Sequence, residues 1–426
     1  MSDAGNGTAN VIKDAYVEAS KETRTSDLPT VYFLGGHHPS NEPFIRSPPS
    51  NVRLCSRVTA KEFEEFGRLK QYSGMWPVMK KTNDALYRSI GMPRLLPVFG
   101  RYDLVHTNGS VIPLCPGPWV ASIENPSAFY GFDERWHEIP RMRKRLASFL
   151  ISERCRAIMP YSEASKRYLM MGLADWKETL ELKTEVIPLA IDKRLIRKKP
   201  EDLKARDVSE KMRFLFVGNH FFDKGGREVL RAFRNIRDYH DSELTIVTSA
   251  PPHHSKEFQE YIPKIKAEKD VRFYHTGIPR SELMKLYDSS HVFAFPSYMD
   301  QVPFVFLEAM AAGLPLIGSN SYAMPEMSID GSNGFVVESP WVAFPKSELR
   351  TVRHLVAYRS AVLEERNFDG VVENLIDKMK FLIDHEDTRM MFARESLEMV
   401  INGRYSLGCR NKALSAVYSR SLPRIR

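Results

Sequence analysis

Short apolar runs alternate with amphipathic helical segments through the second half of the chain, and this alternation restricts the possible folds more than any other feature. The runs lie at residues 213–218, 244–248, 271–277, 292–296 and 314–319. Between them apolar side chains recur at helical spacing, as in REVLRAFRNI. Strands that are apolar on both faces and alternate with helices are typical of βαβ units in a parallel sheet. The pattern therefore predicts an α/β arrangement over residues 212 to about 340, followed by helices beyond residue 350.

The first half repeats this pattern with weaker signals. Its strand candidates are residues 30–36, 52–58, 102–109, 118–124, 155–162 and 183–191. Two α/β halves fit a chain of 426 residues, for which more than one domain is the ordinary expectation. The predicted organisation is a disordered tail (1–28), an N-terminal domain (29–195), a charged linker (196–211), a C-terminal domain (212–400) and a final helical segment (401–426).

The charge of the chain favours anionic partners. The formal net charge is +8, and cations concentrate at residues 141–156 and 404–426. Such an excess suits phosphates, acidic lipids or nucleic acid without choosing among them. Segment 67–96 mixes cations with Trp76 and several Met residues. It could contact an acidic membrane surface or a lipid-linked acceptor, or it could be a core helix with a solvated basic face.

The cysteines and the apolar content predict the cellular compartment of the protein. Four cysteines are scattered without any C-x-x-C pair, which fits a reducing compartment. The first 28 residues lack the apolar core of a signal peptide, and no run reaches the roughly 18–20 apolar residues needed to span a bilayer. We therefore expect a cytoplasmic protein, with peripheral contact to the cytoplasmic face of a membrane as the variant. The sequence shows no metal-ligand framework, so no metal is expected.

The first candidate site is the segment FVGNHFFDKGGREVL at residues 216–230. A predicted strand ends at Gly218, Asn219 follows it, and Lys224-Gly225-Gly226 opens a helix. Glycine lets backbone N–H groups approach an anion, a helix N-terminus favours negative charge, and lysine adds a positive charge. A diphosphate is the ligand that suits this set, although neither a Walker A motif nor G-x-G-x-x-G is present. The alternative is an ordinary strand–turn–helix with glycine in the turn.

The second candidate site is SYMDQVPFVFLEAM at residues 297–310, where Asp300 and Glu308 flank an apolar run. Ligands of open α/β sheets lie beyond the carboxyl ends of the strands. Glu308, in the predicted helix, could accept hydrogen bonds from two vicinal hydroxyls such as those of a ribose. Backbone groups at the start of that helix could face phosphate; these belong to Val302, Pro303, Phe304 and Val305. The alternative is a helix with an Asp cap and a buried, paired Glu.

Four segments in this order and spacing resemble the retaining glycosyltransferases of the GT-B fold, in the large group often called family 4. They are FVGNHFFDKGG, VRFYHTGIPRSELMKLYDSSHVFAFPS, DQVPFVFLEAMAAGLPLI and MPEMSIDGSNGFVVE. The third contains the D-x7-E form of that family's E-x7-E element. The resemblance covers residues 212–340 strongly and residues 28–195 weakly. It implies two Rossmann-like parallel-sheet domains that face each other across a cleft, with C-terminal helices that return to the N-terminal domain.

The resemblance also implies roles for individual residues. Lys224 would clamp the diphosphate of a UDP- or GDP-sugar beside Gly218 and Gly225, Glu308 would hold the ribose, and Asp300 would touch the donor sugar. Gly277 and Ile278 would line the base pocket, and Pro325-Glu326 would lie near the donor sugar. The family's accepted mechanism needs no side-chain nucleophile, since the leaving diphosphate itself can take the proton of the acceptor.

The sequence departs from the family pattern at three places. Asn219 stands where many members have Arg, and Ala323-Met324 replaces the usual Gly pair before Pro-Glu. Glu124 follows the strand after which members often carry His; we treat it as an acceptor-side catalytic candidate, with an exposed loop acid as the alternative. The predicted function is hexosyl transfer from a nucleotide-sugar to a glycan, lipid-linked or small-molecule acceptor. The rivals are a sugar-nucleotide epimerase of the same fold and a basic nucleic-acid-binding protein, although no nucleic-acid-binding motif is present.

Overall fold

The computed structural model describes most of the chain. The described residues are 28–36, 38–56, 82, 84–87, 89–109, 111–204, 210–249, 255–275, 278–339, 349, 352–364 and 368–423. The predicted tail at 1–28 therefore lies outside the described residues except for Leu28, and so does the part of the basic segment from 67 to 81. Gly277 also lies outside them.

The N-terminal domain is built on a parallel five-stranded sheet. Its strand order is β2-β1-β4-β6-β7, and a separate parallel pair is formed by β3 and β5. Strands β4 and β6 are buried along their whole length, as expected for a sheet covered on both faces. The strands of this domain are β1 (Thr30–Leu34), β2 (Arg53–Ser56), β3 (Leu95–Pro97), β4 (Leu104–Asn108), β5 (Ile112–Leu114), β6 (Trp119–Ile123) and β7 (Cys155–Pro160).

The C-terminal domain has a parallel six-stranded sheet in the order β10-β9-β8-β11-β12-β13. The order reverses direction between β8 and β11, which is the switch point at which open α/β sheets bind ligands. The residues that follow β8 and β11 are therefore the ones that can line a ligand site. The strands are β8 (Met212–Asn219), β9 (Ser242–Ser249), β10 (Val271–His275), β11 (Val292–Ala294), β12 (Leu316–Ser319) and β13 (Gly334–Val337).

Helices connect the strands and cover both sheets. Their apolar faces pack on the strands, as in α5, where Val229, Leu230, Phe233 and Ile236 are all buried. In the N-terminal domain the helices are α1 (Glu42–Arg46), α2 (Pro140–Leu150), α3 (Glu163–Gly172) and α4 (Lys177–Glu181). Those that follow are α5 (Gly226–Arg237), α6 (Ser255–Lys266), α7 (Arg280–Ser289), α8 (Phe304–Ala311), α9 (Met324–Met327), α10 (Val352–Leu363), α11 (Asp369–Asp384), α12 (Glu386–Ile401) and α13 (Leu407–Ser421).

The last helix, α13, packs against the N-terminal sheet. The Tyr418 hydroxyl lies 2.6 Å from Nδ1 of His106, a fully buried residue of β4. Arg410 is buried over the ring of Phe44 and donates to the carbonyl oxygens of Pro43 (3.0 Å) and Ser47 (2.9 Å). These contacts, together with the two parallel sheets, give the α/β architecture that the resemblance implied.

Residues 183–191, predicted as a strand, form a single bridge between Thr184 and Ile158. The segment still runs beside β7, since the Glu185 N–H donates to the Ile158 carbonyl and the Ile187 N–H to the Pro160 carbonyl. Pro188 follows and has no N–H to extend the ladder. The prediction of a full strand over residues 183–191 is therefore wrong, although Ile187 and residues 189–191 are buried.

Among the described residues, none of the helices combines the length and the apolar character that crossing a membrane requires.

Candidate functional site

Close packing at two glycines brings the end of β8 next to the segment that follows β11. A Cβ on Gly218 would lie 2.6 Å from the ring of Phe295, and a Cβ on Gly225 would lie 2.7 Å from the Pro296 carbonyl oxygen. Gly225 also has φ +75°, a conformation that costs a side-chain-bearing residue about 1–2 kcal/mol. Glycine at both positions therefore lets the two segments meet at the switch point of the sheet.

The Lys224 side chain lies between those two segments. Its Nζ is 2.7 Å from Oδ2 of Asp300 and 3.4 Å from the Met299 carbonyl oxygen. The Lys224 and Asp300 side chains are 16% and 20% exposed, so the pair is reachable from solvent but poorly screened. The sequence predicted both residues as site residues, and the structure brings them together.

The backbone of the Lys-Gly-Gly turn differs from the expectation. The N–H groups of Lys224, Gly225 and Gly226 donate to the carbonyl oxygens of His220, Phe222 and Phe221, at 3.1, 3.1 and 2.9 Å. These amides close the turn instead of facing the site. The Lys224 ammonium group is consequently the donor that this turn offers to an anion.

Glu308 lies one element away, in the second turn of α8, and is buried. Its Oε2 accepts a hydrogen bond from the Tyr287 hydroxyl at 3.2 Å, and its Oε1 is 3.7 Å from Nη2 of Arg280. Burial raises the pKa of Glu308, while Arg280 and the Tyr287 hydroxyl oppose that rise and Glu42 adds to it. Glu308 is thus a hydrogen-bond acceptor in a low-dielectric position, where Arg280 and Tyr287 offset part of the cost of burying its charge.

Glu124 joins the site from the other domain. It follows β6 and is half-buried. Burial and the Asp300 carboxylate raise the pKa of Glu124 to about 7, although Lys224 and the Val302 N–H act in the opposite direction. The Tyr322 hydroxyl donates to the Glu124 carbonyl oxygen at 3.1 Å. The charges of the Lys224–Asp300 pair therefore act on the sequence-based candidate of the acceptor side.

The first turn of α8 offers a smaller set of amides than expected. Pro303 has no N–H. Phe304 and Val305, at the first two positions of α8, carry N–H groups of the kind that a helix leaves without an intrahelical acceptor. Ile278 is half-buried and packs on the core just before α7.

Asn219, His220 and Glu326 make contacts with residues other than Lys224 and Asp300. Asn219 Oδ1 accepts a hydrogen bond from the Ser249 hydroxyl at 2.7 Å, and His220 Nδ1 lies 3.7 Å from Asp223. Glu326 spans the domains, since its two carboxylate oxygens accept from the N–H groups of Glu163 (2.9 Å) and Ala164 (2.8 Å) at the start of α3. In this structure Glu326 caps a helix of the N-terminal domain.

Sequence reasoning missed three residues that contact the site. Arg280 and Tyr287, on α7, hold Glu308, and Glu42, on α1, holds Arg280 with Nη1 of Arg280 2.8 Å from Oε2 of Glu42. Their positions depend on how α1 and α7 meet, which no local pattern encodes. The single available signal was that Glu42 and Arg280 each follow the carboxyl end of a predicted strand by a few residues. Among the described residues there is no group of three or more His, Cys, Asp or Glu side chains that could hold a metal ion.

Comparison with known proteins agrees with the geometry. Residues 198–346 match the family model described as Glycosyl transferases group 1. The MMP alpha-(1->4)-mannosyltransferase of Mycolicibacterium hassiacum is 27% identical over 197 residues, which cover 45% of this chain and 43% of that protein. A D-inositol 3-phosphate glycosyltransferase of Corynebacterium kroppenstedtii is 29% identical over 129 residues, covering 29% of this chain and 28% of that one. The chain thus spans about half or less of the length of these relatives.

Solved structures show the same fold over nearly the whole chain. Anabaena HepE, solved with UDP and glucose, superposes with a TM-score of 0.57 at 13% identity and covers 92% of this chain and 99% of its own. A sucrose-phosphate synthase from Thermosynechococcus elongatus gives 0.58 at 14% identity, with 92% and 98% covered. The protein has the GT-B fold of glycosyltransferases. Its sequence similarity to the group 1 glycosyl transferases is concentrated in the domain that carries Lys224 and Glu308.

Proposed function

We propose that the protein is a glycosyltransferase that moves a hexose from a UDP- or GDP-sugar to an acceptor bound between the two domains. In this account residues 212–400 hold the donor, residues 29–195 hold the acceptor, and residues 196–211 link the two. The observation that carries the proposal is the Lys224–Asp300 pair at the switch point of the C-terminal sheet, with Glu124 of the opposite domain close enough for both charges to act on its pKa. Donor and acceptor sides thus converge on one place.

In this proposal the protein accelerates sugar transfer mainly by stabilising the charge of the leaving diphosphate. When the glycosidic bond to the diphosphate breaks, negative charge grows on the leaving oxygens, and a preorganised cation beside them lowers the barrier. Lys224 is that cation. The Asp300 carboxylate lies 2.7 Å from the Lys224 ammonium group. In the proposed complex the diphosphate replaces Asp300 as the partner of Lys224, and Asp300 becomes available to a sugar hydroxyl.

Glu308 completes the donor site as the acceptor of hydrogen bonds from the ribose. One of its oxygens is occupied by Tyr287, and the other faces Arg280 beyond hydrogen-bond distance. A buried carboxylate oxygen with open acceptor capacity matches a hydroxyl pair, because each hydroxyl can donate a hydrogen bond to it.

We propose retention of the anomeric configuration, because the four segments between residues 212 and 340 resemble those of the retaining GT-B glycosyltransferases. Glu124, Asp300 and Lys224 form one interacting cluster. In the proposed step the bond from C1 to the leaving oxygen breaks, the acceptor oxygen bonds to C1 on the same face, and the acceptor proton passes to the departing diphosphate. Glu124 and Asp300 then orient the acceptor and the sugar hydroxyls.

The acceptor is proposed to be a carbohydrate or a lipid-linked molecule, reached in the cytoplasm or at the cytoplasmic face of a membrane through the basic segment 67–96. Binding to anionic vesicles tests the membrane part. Neutralising the cations of that segment should abolish binding, and unchanged partition would contradict it. The related transferases lend no support to the epimerase alternative.

Nucleotide binding followed by product analysis tests the function. We expect UDP or GDP to raise the melting temperature, because a ligand that binds only the folded state stabilises it. Incubation with UDP- and GDP-sugars and candidate glycan or lipid acceptors should give a glycoside whose anomeric configuration, read by NMR, equals that of the donor. Inverted product would contradict retention alone, whereas an isomerised nucleotide-sugar formed without acceptor would identify an epimerase.

A further inference from the structure

A chain of charged side chains connects the N-terminal domain to the proposed ribose ligand. Glu42, on α1, is buried with a side chain 6% exposed, and its Oε2 lies 2.8 Å from Nη1 of Arg280. Nη2 of the same guanidinium is 3.7 Å from Oε1 of Glu308. Arg280, the first residue of α7, therefore has one end bound to the opposite domain and the other end directed at Glu308.

The remaining N–H groups of Arg280 are unused. Nε and Nη2 are shielded from solvent and have no hydrogen-bond partner within the described part of the chain. Buried donors left without acceptors are costly, at about 1–3 kcal/mol each. An oxygen-rich ligand that enters next to Glu308 would relieve that cost, because its oxygens could accept from Arg280 while its hydroxyls donate to Glu308.

Glu42 is itself firmly held. Its Oε1 accepts from Nε of Arg46 at 2.7 Å and from Nη2 of Arg194 at 2.8 Å. Three guanidinium groups around one buried carboxylate limit its rotation. Glu42 is thus a rigid anchor for Arg280 and not a freely rotating surface acid.

We propose that Glu42 is a positioning residue for the donor nucleotide: by anchoring Arg280 it holds the guanidinium against Glu308, so that the ribose site is complete only when the two domains are together. The inference rests on the proposed function. It gives the N-terminal domain a role in donor affinity without any contact to the donor. In this arrangement Oε2 of Glu308 accepts a hydrogen bond from Tyr287, and Oε1 is the oxygen that the ribose would contact.

The consequence is a coupling between domain closure and nucleotide binding. When the domains separate, Glu42 leaves Arg280, and the guanidinium loses the contact that fixes its orientation. The Glu308 carboxylate then sits in a buried position with a mobile counter-charge, which weakens it as an acceptor. Donor binding and closure stabilise each other by the same free energy, as linkage requires.

Titration of UDP and GDP into the full-length protein by calorimetry tests this proposal. The variants are Glu42→Gln, Arg280→Lys and the double variant, with Glu42→Asp as a charge-preserving second choice if the amide destabilises the fold. The matched control is Glu185→Gln, which removes a different carboxylate of the N-terminal domain from its ion pair with Arg420 of α13. Melting temperatures without nucleotide establish that each variant is folded.

We expect Glu42→Gln to raise the Kd for the nucleotide by about fivefold or more, within the range found for residues that act through a neighbour. Arg280→Lys should raise it by a similar factor, because lysine cannot bridge two carboxylates with a planar fork. In the double variant the losses should not add, since both break one chain of contacts. Glu185→Gln should bind as the wild type does.

The outcomes separate the inference from the function on which it rests. Wild-type protein that binds neither nucleotide overturns both. Wild-type protein that binds one of them while Glu42→Gln binds equally well, or losses that add fully in the double variant, overturn the positioning role of Glu42 and leave the proposed function intact.

Discussion

Lys224 is the residue whose charge contributes most to the proposed chemistry. Lys224→Ala should lower the transfer rate by about 10²–10³, the usual effect of removing one group that stabilises transition-state charge. Donor binding should weaken as well, because the diphosphate loses its cation. Initial rates of nucleotide release in the presence of acceptor measure the effect.

A matched control exists in the same domain. Lys211 forms an ion pair with Asp270 at the same 2.7 Å, but it precedes β8 and so lies at the opposite edge of the sheet. Lys211→Ala should therefore leave transfer unchanged. Equal losses in the two variants would show that charge or stability in general, and not the position of Lys224, determines the rate.

Glu124 makes a prediction about pH. Its pKa is raised from 4.5 to about 7, so the folded state holds a proton that the unfolded state releases above pH 4.5. The stability associated with the neutral form is fully present below pH 4.5 and is lost as the pH rises through 7. The free energy of unfolding of the wild type, relative to that of Glu124→Gln, should fall between pH 4.5 and 7. Above pH 7 the difference between the two proteins should stay constant. Thermal unfolding across this range measures it, and a difference independent of pH would contradict the shift.

At the scale of elements, the Lys-Gly-Gly turn depends on a glycine that no side chain can replace. At Gly225 an added Cβ would meet both a positive φ and the Pro296 carbonyl oxygen at 2.7 Å, whereas at Gly331 φ is +74° and no atom lies within 4 Å. Gly331→Ala should cost the backbone strain alone, about 1–2 kcal/mol. Gly225→Ala should cost about 2–5 kcal/mol, because the clash adds to the strain. Chemical denaturation of the two variants gives the comparison.

Equal losses at the two glycines would show that the contact between the turn and Pro296 is relaxed in solution. The comparison is informative because both residues lie in the C-terminal domain and have nearly the same φ. The difference between the two costs therefore reports the close approach of the β8 and β11 segments.

The elements themselves were largely predictable from the sequence. The short apolar runs correspond to β8, β9 and β11. A strand that is buried on both faces is recognisable because its apolar residues form a short continuous run. Lys224 and Asp300 were predictable for the same reason, since each follows a strand that the pattern locates. Residues 183–191 were harder, because Pro188 ends the ladder while the apolar pattern continues.

The partners of Glu308 were not predictable from local pattern. Tyr287 and Arg280 come from α7 and Glu42 from α1 of the other domain, and a sequence period says nothing about how two domains meet. The same holds for the amides of the Lys-Gly-Gly turn. The sequence predicts that glycine there lets backbone N–H groups approach an anion. In the structure these N–H groups donate to carbonyl oxygens of the turn itself.

At the scale of the whole molecule, α13 ties the end of the chain to the first domain through a buried polar cluster. His106 lies between Tyr418 and the Ser122 hydroxyl, at 2.6 and 2.8 Å, and burial and Arg410 lower the pKa of His106 to about 3. The ring is therefore neutral at physiological pH, and the hydroxyl of Tyr418 satisfies one of its nitrogens.

Removal of that hydroxyl should destabilise the protein. Tyr418→Phe leaves a buried ring nitrogen of His106 without a partner, which costs about 1–3 kcal/mol. Tyr239→Phe is the matched control, since Tyr239 is 83% exposed and its loss of a hydroxyl should change stability by less than about 0.5 kcal/mol. Equal unfolding free energies for Tyr418→Phe and the wild type would mean that α13 does not depend on this contact.

The central claim is that one nucleotide-sugar site lies between Lys224 and Glu308, completed by the opposite domain. A crystal structure of the protein with UDP or GDP tests it most directly. The account predicts diphosphate oxygens within about 2.7–3.2 Å of Lys224 Nζ and ribose hydroxyls at the same distance from the Glu308 carboxylate. A nucleotide bound elsewhere, with the Lys224–Asp300 pair intact, would contradict it.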